Sequence, residues 1–176
     1  MIEYYRKLMN IDRLAGKFKL RKYDLAQHSY YTAILFSEFA KLEDISYDTS
    51  VLEMILSHDM MEVITTDLPW TCKNLSEKTK ECWNIIEEES ANAFPEFKKY
   101  SDEALKSCMT KEQHELFKCC DYLELFLFIH EERQLGNNTE GMLDVYNNCI
   151  NLIKGKFKSI DIYMNGKCKE RLYPVP

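Results

Sequence analysis

His58 and Asp59 stand side by side in an otherwise apolar stretch, Ile55-Leu56-Ser57-His58-Asp59-Met60-Met61. An imidazole nitrogen and a carboxylate oxygen together suit zinc, manganese, cobalt or iron. Glu62 follows His58 by four residues, so on a continuous helix it lies on the same face, one turn along. A carboxylate beside an ion, without binding it, can take a proton from water or give one to a leaving group. Asp67 follows in Thr65-Thr66-Asp67-Leu68-Pro69. Taken alone, it reads first as a turn former ahead of Pro69.

Two further donors lie far away in sequence. His28 falls on an amphipathic run, where a lone histidine is more often a core or surface residue than a ligand. Asp121 sits within the apolar segment Leu116 to Phe128. An ionised carboxylate buried there is costly without a partner. A metal ion is one such partner, and Lys118 or Arg133 is the other. Ahead of His28, residues Arg13, Lys17, Lys19, Arg21 and Lys22 form a basic cluster. It reads either as a solvated surface or as a phosphate clamp, since arginine offers a two-pronged fork to phosphate oxygens. Lys73, just beyond Pro69, is another phosphate candidate. His114 and His130 read as non-catalytic.

The elements that must position these groups are helices. The spacing predicts a first helix over Ile2 to Met9, an irregular basic segment over Arg13 to Lys22, and a second helix capped by Asp24. That second helix carries Leu25, His28, Tyr31, Thr32, Leu35, Phe36, Phe39 and Leu42 on one face. Asp48 opens a third, with Glu53 in the capping position and Val51, Met54, Ile55, Met60 and Met61 around His58; it runs to about Thr65, before Leu68-Pro69. A fourth spans Ser76 to Phe94, with Cys82, Ile85 and Ile86 inward and Glu87-Glu88-Glu89 outward. A short helix covers Ser101 to Cys108. Thr110 opens a long helix with Gln113 completing its cap, and Gly136 ends it. Thr139 to Phe157 forms another, and the tail from Ser159 reads as a short strand or a loose arm. The expected fold class is all-α, a compact bundle in one domain over residues 1–176.

The bulk composition narrows the function. Net charge is −6, which opposes stable nucleic-acid binding while leaving room for a local basic pocket. Seven cysteines without a CxxC pair read as reduced thiols in a cytoplasmic protein. The N-terminal residues lack the apolar run of a signal peptide, and no membrane span is expected. Apolar residues on the late helices (Phe126, Phe128, Ile129, Val145, Ile150, Ile153) exceed one core's needs, and exposed patches of that kind mark subunit contacts. A homodimer or higher homo-oligomer is the expectation.

The order His28, His58-Asp59, Asp121 resembles the HD-domain metal phosphohydrolases. The dipeptide alone is weak; HD followed by Glu62-Val63 and Asp67-Leu68-Pro69, with the outlying His and Asp in order, is strong. With Ile11-Asp12-Arg13, Gln27-His28-Ser29 and Lys118-Cys119-Cys120-Asp121, the pattern is similar to the bacterial 5′-deoxynucleotidase branch and to phage deoxynucleoside triphosphohydrolases. It covers roughly Asp12 to Asn138. The resemblance implies an HD-type helical bundle and one divalent ion (Zn, Co or Mn) on His28, His58, Asp59 and Asp121. Magnesium would serve with a triphosphate substrate. It implies Glu62 as the catalytic carboxylate and Asp67 as holding a sugar hydroxyl or positioning water. Arg13 and Lys73 would contact phosphate. In that branch a tryptophan commonly follows the arginine and packs on the deoxyribose; here it is Leu14, with Trp70 as a possible substitute platform. The implied substrate is a deoxynucleoside 5′-monophosphate, with triphosphate release or a non-catalytic nucleotide sensor as the alternatives.

Overall fold

The computed structural model describes residues 2–73 and 75–169, apart from the side chains of Ile2, Trp70, Thr71 and Asp102. Trp70's role as a platform therefore lies outside the described side chains. Helix α1 (Ile2–Lys7) runs into a 3-10 turn over Leu8–Asn10. The basic segment then loops to Asp24, which caps α2 (Leu25–Leu42): its carboxylate accepts from the Gln27 N–H, and Gln27 returns the bond to the Asp24 backbone. α3 (Thr49–Leu56) starts on Asp48, whose carboxylate accepts from the Ser50 and Val51 N–H groups.

The third helix does not run through His58 as the spacing suggested. It ends at Leu56, and residues 57–61 are turns that lead into α4 (Glu62–Thr65). Ser57 is the cause: its hydroxyl donates to the Glu53 carbonyl at 2.6 Å, and such back-bonding competes with the helix. The backbone then closes in three-residue steps, Met60 N to Ser57 O at 3.0 Å and Glu62 N to Asp59 O at 3.0 Å.

α5 (Trp70–Lys73) and α6 (Glu77–Ala93) follow, then a 3-10 stretch at Pro95–Tyr100, α7 (Asp102–Cys108), α8 (Lys111–Gln134), α9 (Glu140–Ile153) and α10 (Lys158–Lys169). The segment read as a strand or arm is thus helical through Lys169. No strand forms among the described residues; Asp12 and Asp24 make one antiparallel bridge. Thr110 and Gln113 cap α8 reciprocally.

α8 is the central element, packed against α2 and α9. The larger core gathers Phe36, Ile55, Leu116, Phe117, Leu123, Phe126 and Ile129; a smaller one holds Leu8, Leu25, Met60, Met61, Phe97 and Tyr100. Phe126, Phe128, Ile129 and Ile153 are buried within the larger core, with Val145 and Ile150 packed on it. The apolar excess taken for a subunit contact is therefore consumed inside the chain. The fourth helix also differs from expectation. Ile85, Ile86 and Cys82 are exposed, whereas Trp83 and Glu87 are half-buried and turned to a cavity. They belong to a strip with Ser90 and Ala91, at a spacing of four, three and one, which the more apolar isoleucines masked.

Candidate metal centre and active site

Three elements bring the site together: α2 supplies His28, the turns after α3 supply His58 and Asp59, and α8 supplies Asp121. One ligand atom each from His28, His58 and Asp59 lies within 4.8 Å of the others, a grouping that could hold a metal ion. His28 Nε2 is 2.9 Å from Asp121 Oδ1, and His58 Nε2 is 3.2 Å from Asp59 Oδ1. Both Nε2 atoms are buried and lack an aligned hydrogen-bond partner among the described residues.

The other ring nitrogens explain this. His58 Nδ1 donates to the Ile55 carbonyl at 2.7 Å. A carbonyl cannot donate, so Nδ1 carries the hydrogen and a neutral ring leaves Nε2 with a free lone pair. Burial lowers the pKa of His58, outweighing Asp59 and Asp121, which favours that neutral ring. His28 Nδ1 meets the carboxylate of Glu124, which also takes the Tyr23 hydroxyl. A carboxylate behind a histidine fixes its tautomer and raises its basicity as a ligand. Burial and Arg13 push the His28 pKa down, but Glu124 and Asp121 outweigh them and bring it to about 9. Two inward-facing imidazole nitrogens beside two carboxylates suit a divalent first-row ion, which would take the place of the proton that His28 otherwise holds toward Asp121.

Both carboxylates stay ionised despite burial. His58, Arg13 and His28 hold Asp59 below its ordinary value, and His28 with Lys118 does so for Asp121. Arg13 reaches in from the basic segment, 3.0 Å from Asp59 Oδ2 and 3.4 Å from Asp121 Oδ1. The rest of that segment is used elsewhere: Lys19 binds Asp12 and the Arg13 carbonyl, Arg21 pairs with Glu131 and Glu132, and Lys22 pairs with Asp24. Only Arg13 of the five basic residues lines the cavity.

That cavity, about 870 Å³, is lined by Arg13, His58, Asp59, Glu62, Asp67, Lys73 and Asp121. It continues over Trp83, Glu87, Lys80 and Lys98. Glu62 is pushed well above the usual carboxylate range, first by burial, then by Asp59 and Asp67, with Arg13 and Lys73 opposing. A carboxyl raised from its ordinary range takes and gives up a proton more readily at the pH where the reaction runs, which suits it to acid–base work. Leu14 is not among the lining residues; it sits at φ 59 and packs against the larger core. The reading from sequence missed Glu124. Its signal was a second acid, three residues after Asp121 on the same apolar helix.

Converging helices that turn two imidazoles and two ionised carboxylates onto one buried point, beside a protonatable glutamate, define an HD-type metal-dependent phosphohydrolase. The family described as 5′-deoxynucleotidase YfbR-like matches residues 1–169, and the chain belongs to that family. Among curated proteins, none is similar enough to count as a match. Solved structures share the fold. The HD phosphohydrolase of cyanophage S-2L, bound to dA and one catalytic Zn2+ ion, has a TM-score of 0.68 at 22% identity, covering 87% of this chain and 82% of that one. An HD-domain phosphohydrolase of Listeria innocua gives 0.65 at 18%, covering 94% and 81%. A Pyrococcus horikoshii protein gives 0.71 at 23%, covering 95% and 98%. No helix among the described residues is long and apolar enough to cross a membrane.

Proposed function

We propose that the protein hydrolyses deoxynucleoside 5′-monophosphates to nucleoside and phosphate, acting in the cytoplasm. The observation that carries this reading is the pair of buried, inward-facing Nε2 atoms of His28 and His58 beside Asp59 and Asp121, with Glu62 on the cavity that His58, Asp59 and Asp121 line. His28, His58, Asp59 and Asp121 would hold one divalent ion, which when bound supplies positive charge against the phosphoryl oxygens and lowers the pKa of water. Glu62 holds or moves a proton at its carboxylate. Arg13 and Lys73 place fixed positive charge where negative charge develops. Asp67, half-buried on the cavity wall, orients the sugar hydroxyl or the water. Family membership supports the monophosphate, and the dA and zinc of the cyanophage protein support a deoxynucleotide and a zinc-type ion. A second reading, release of triphosphate from a deoxynucleoside triphosphate, is favoured by the extension of the cavity past the metal residues to Lys80 and Lys98.

The test is product analysis. Protein loaded with manganese, cobalt or zinc is incubated with deoxynucleoside mono- and triphosphates, and phosphate is resolved from triphosphate. Phosphate and nucleoside from monophosphates are expected. Triphosphate as the product selects the second reading. Asp59→Ala should abolish metal retention and turnover together; turnover that survives it takes this site out of the mechanism.

A further inference from the structure

Glu62 is held through one oxygen. Its Oε1 pairs with Lys73 Nζ at 3.5 Å, whereas Oε2 is buried with no hydrogen-bond partner among the described residues. Lys73 ends α5, a helix of only four residues. A lysine ammonium rides on a flexible four-carbon stem, so α5 by itself does not fix where that charge lies. α6 supplies the constraint. Lys73 Nζ stands over the Trp83 ring, 4.6 Å from its centroid, within the range of a cation–π contact. Trp83 donates its indole Nε1–H to Glu87 Oε1, one turn further along α6. Indole has a single donor, so this bond restrains where the ring lies. The contacts run in one line: Glu87 orients Trp83, Trp83 seats Lys73, and Lys73 holds one oxygen of Glu62. All four residues line the cavity.

From this geometry we infer that Trp83 is a positioning residue for the hydrolytic reaction, holding Glu62 through Lys73 and leaving its second oxygen free for the proton step. The inference rests on the role given to Glu62 above. Without the ring, the Lys73 ammonium is free to swing. Each turnover must then order Glu62 anew, which slows the chemical step and leaves substrate binding as it was.

The test is a double-mutant cycle of W83L and K73M on metal-loaded protein, with W83F as the conservative variant and a nucleotide that the wild type turns over. W83L should lower kcat on the order of tenfold with KM unchanged. W83F should keep most of the wild-type kcat. In the K73M background W83L should cost nothing further. The same cycle read as Tm needs no substrate and should show coupling between the two residues. Equal losses from W83L in both backgrounds, or W83F as impaired as W83L, overturn the inference. So does coupling in Tm with additive effects on kcat, because the contact is then structural only. Should W83L fail to fold, E87A removes the bond that orients the ring, and its loss of kcat must likewise vanish in K73M. A wild type that turns over no nucleotide sinks the functional reading instead; the Tm cycle still judges the contact, and absent coupling there overturns it.

Discussion

Glu124 does for His28 what the Ile55 carbonyl does for His58: each takes the Nδ1 side of the ring and turns Nε2 inward. The two supports differ in kind. The carbonyl is fixed by the backbone of α3, whereas Glu124 is a buried side chain that can be removed. Replacing Glu124 with alanine leaves His28 Nδ1 and the Tyr23 hydroxyl without their acceptor. Metal affinity should fall by about 10–100-fold, the usual loss when a carboxylate behind a histidine ligand is deleted. Titration with zinc against a competing chelator measures this, with Glu131→Ala on the exposed side of α8 as the control. Affinity equal to that of the control would mean that Glu124 does not support the ligand. The same buried position explains why sequence reading overlooked it, since a second acid on an apolar helix was visible but its partner, 96 residues away, was not.

At the level of elements, the site depends on helices that stop. α3 gives way to turns at Ser57, and α4 gives way at Thr66, which adopts φ 64 and ψ 162. That region is normally reserved for glycine, and a side chain held there costs about 1–3 kcal/mol. The turn carries the chain from Glu62 to Asp67 and sets both against one cavity. Thr66→Gly should relieve more strain than the roughly 0.5–1 kcal/mol that glycine's added freedom costs. The variant should therefore melt at a higher temperature, while kcat falls as Asp67 gains freedom. Melting and steady-state kinetics on one preparation check both halves; a lower Tm would show that the Thr66 side chain stabilises the turn. Spacing alone placed the helices well where caps were strong, at Asp24 and Thr110. It ran α3 too far because a serine's bond to a carbonyl four residues back leaves no mark in hydrophobic periodicity.

Across the whole molecule, Glu132 near the end of α8 ties down the basic loop more than a hundred residues earlier. Fully buried, it accepts from the backbone N–H groups of Leu20 and Arg21 at 2.7 and 3.1 Å, and from Asn137 Nδ2 at 2.9 Å. Burial alone would raise its pKa, but these bonds and Arg21 pull it below the ordinary value. A depressed folded-state pKa stabilises the fold above the unfolded value, about 4.3, and that stabilisation is lost as pH falls through the folded one. Glu132→Gln should thus lower Tm at neutral pH and lose less on acidification than the wild type. Melting curves from neutral pH down to about pH 3 make the comparison, and parallel curves for the two proteins would exclude this linkage. The residue types and their order in the sequence determined the all-helical class and the caps at Asp24, Asp48 and Thr110, because periodicity and capping are local properties. The candidate set His28, His58, Asp59, Glu62 and Asp121 came from the resemblance of the whole pattern to the HD family, since His28 and Asp121 are ambiguous as single residues. Tertiary structure alone decided the rest. It spent Lys19, Arg21 and Lys22 on pairs with Asp12, Glu131, Glu132 and Asp24 and aimed Arg13 inward. It packed Leu14 onto the core and put Glu124 behind His28. It also turned Trp83, in place of the isoleucines, toward the cavity. Each of these depends on which distant residue a side chain meets, and no spacing along the chain encodes that.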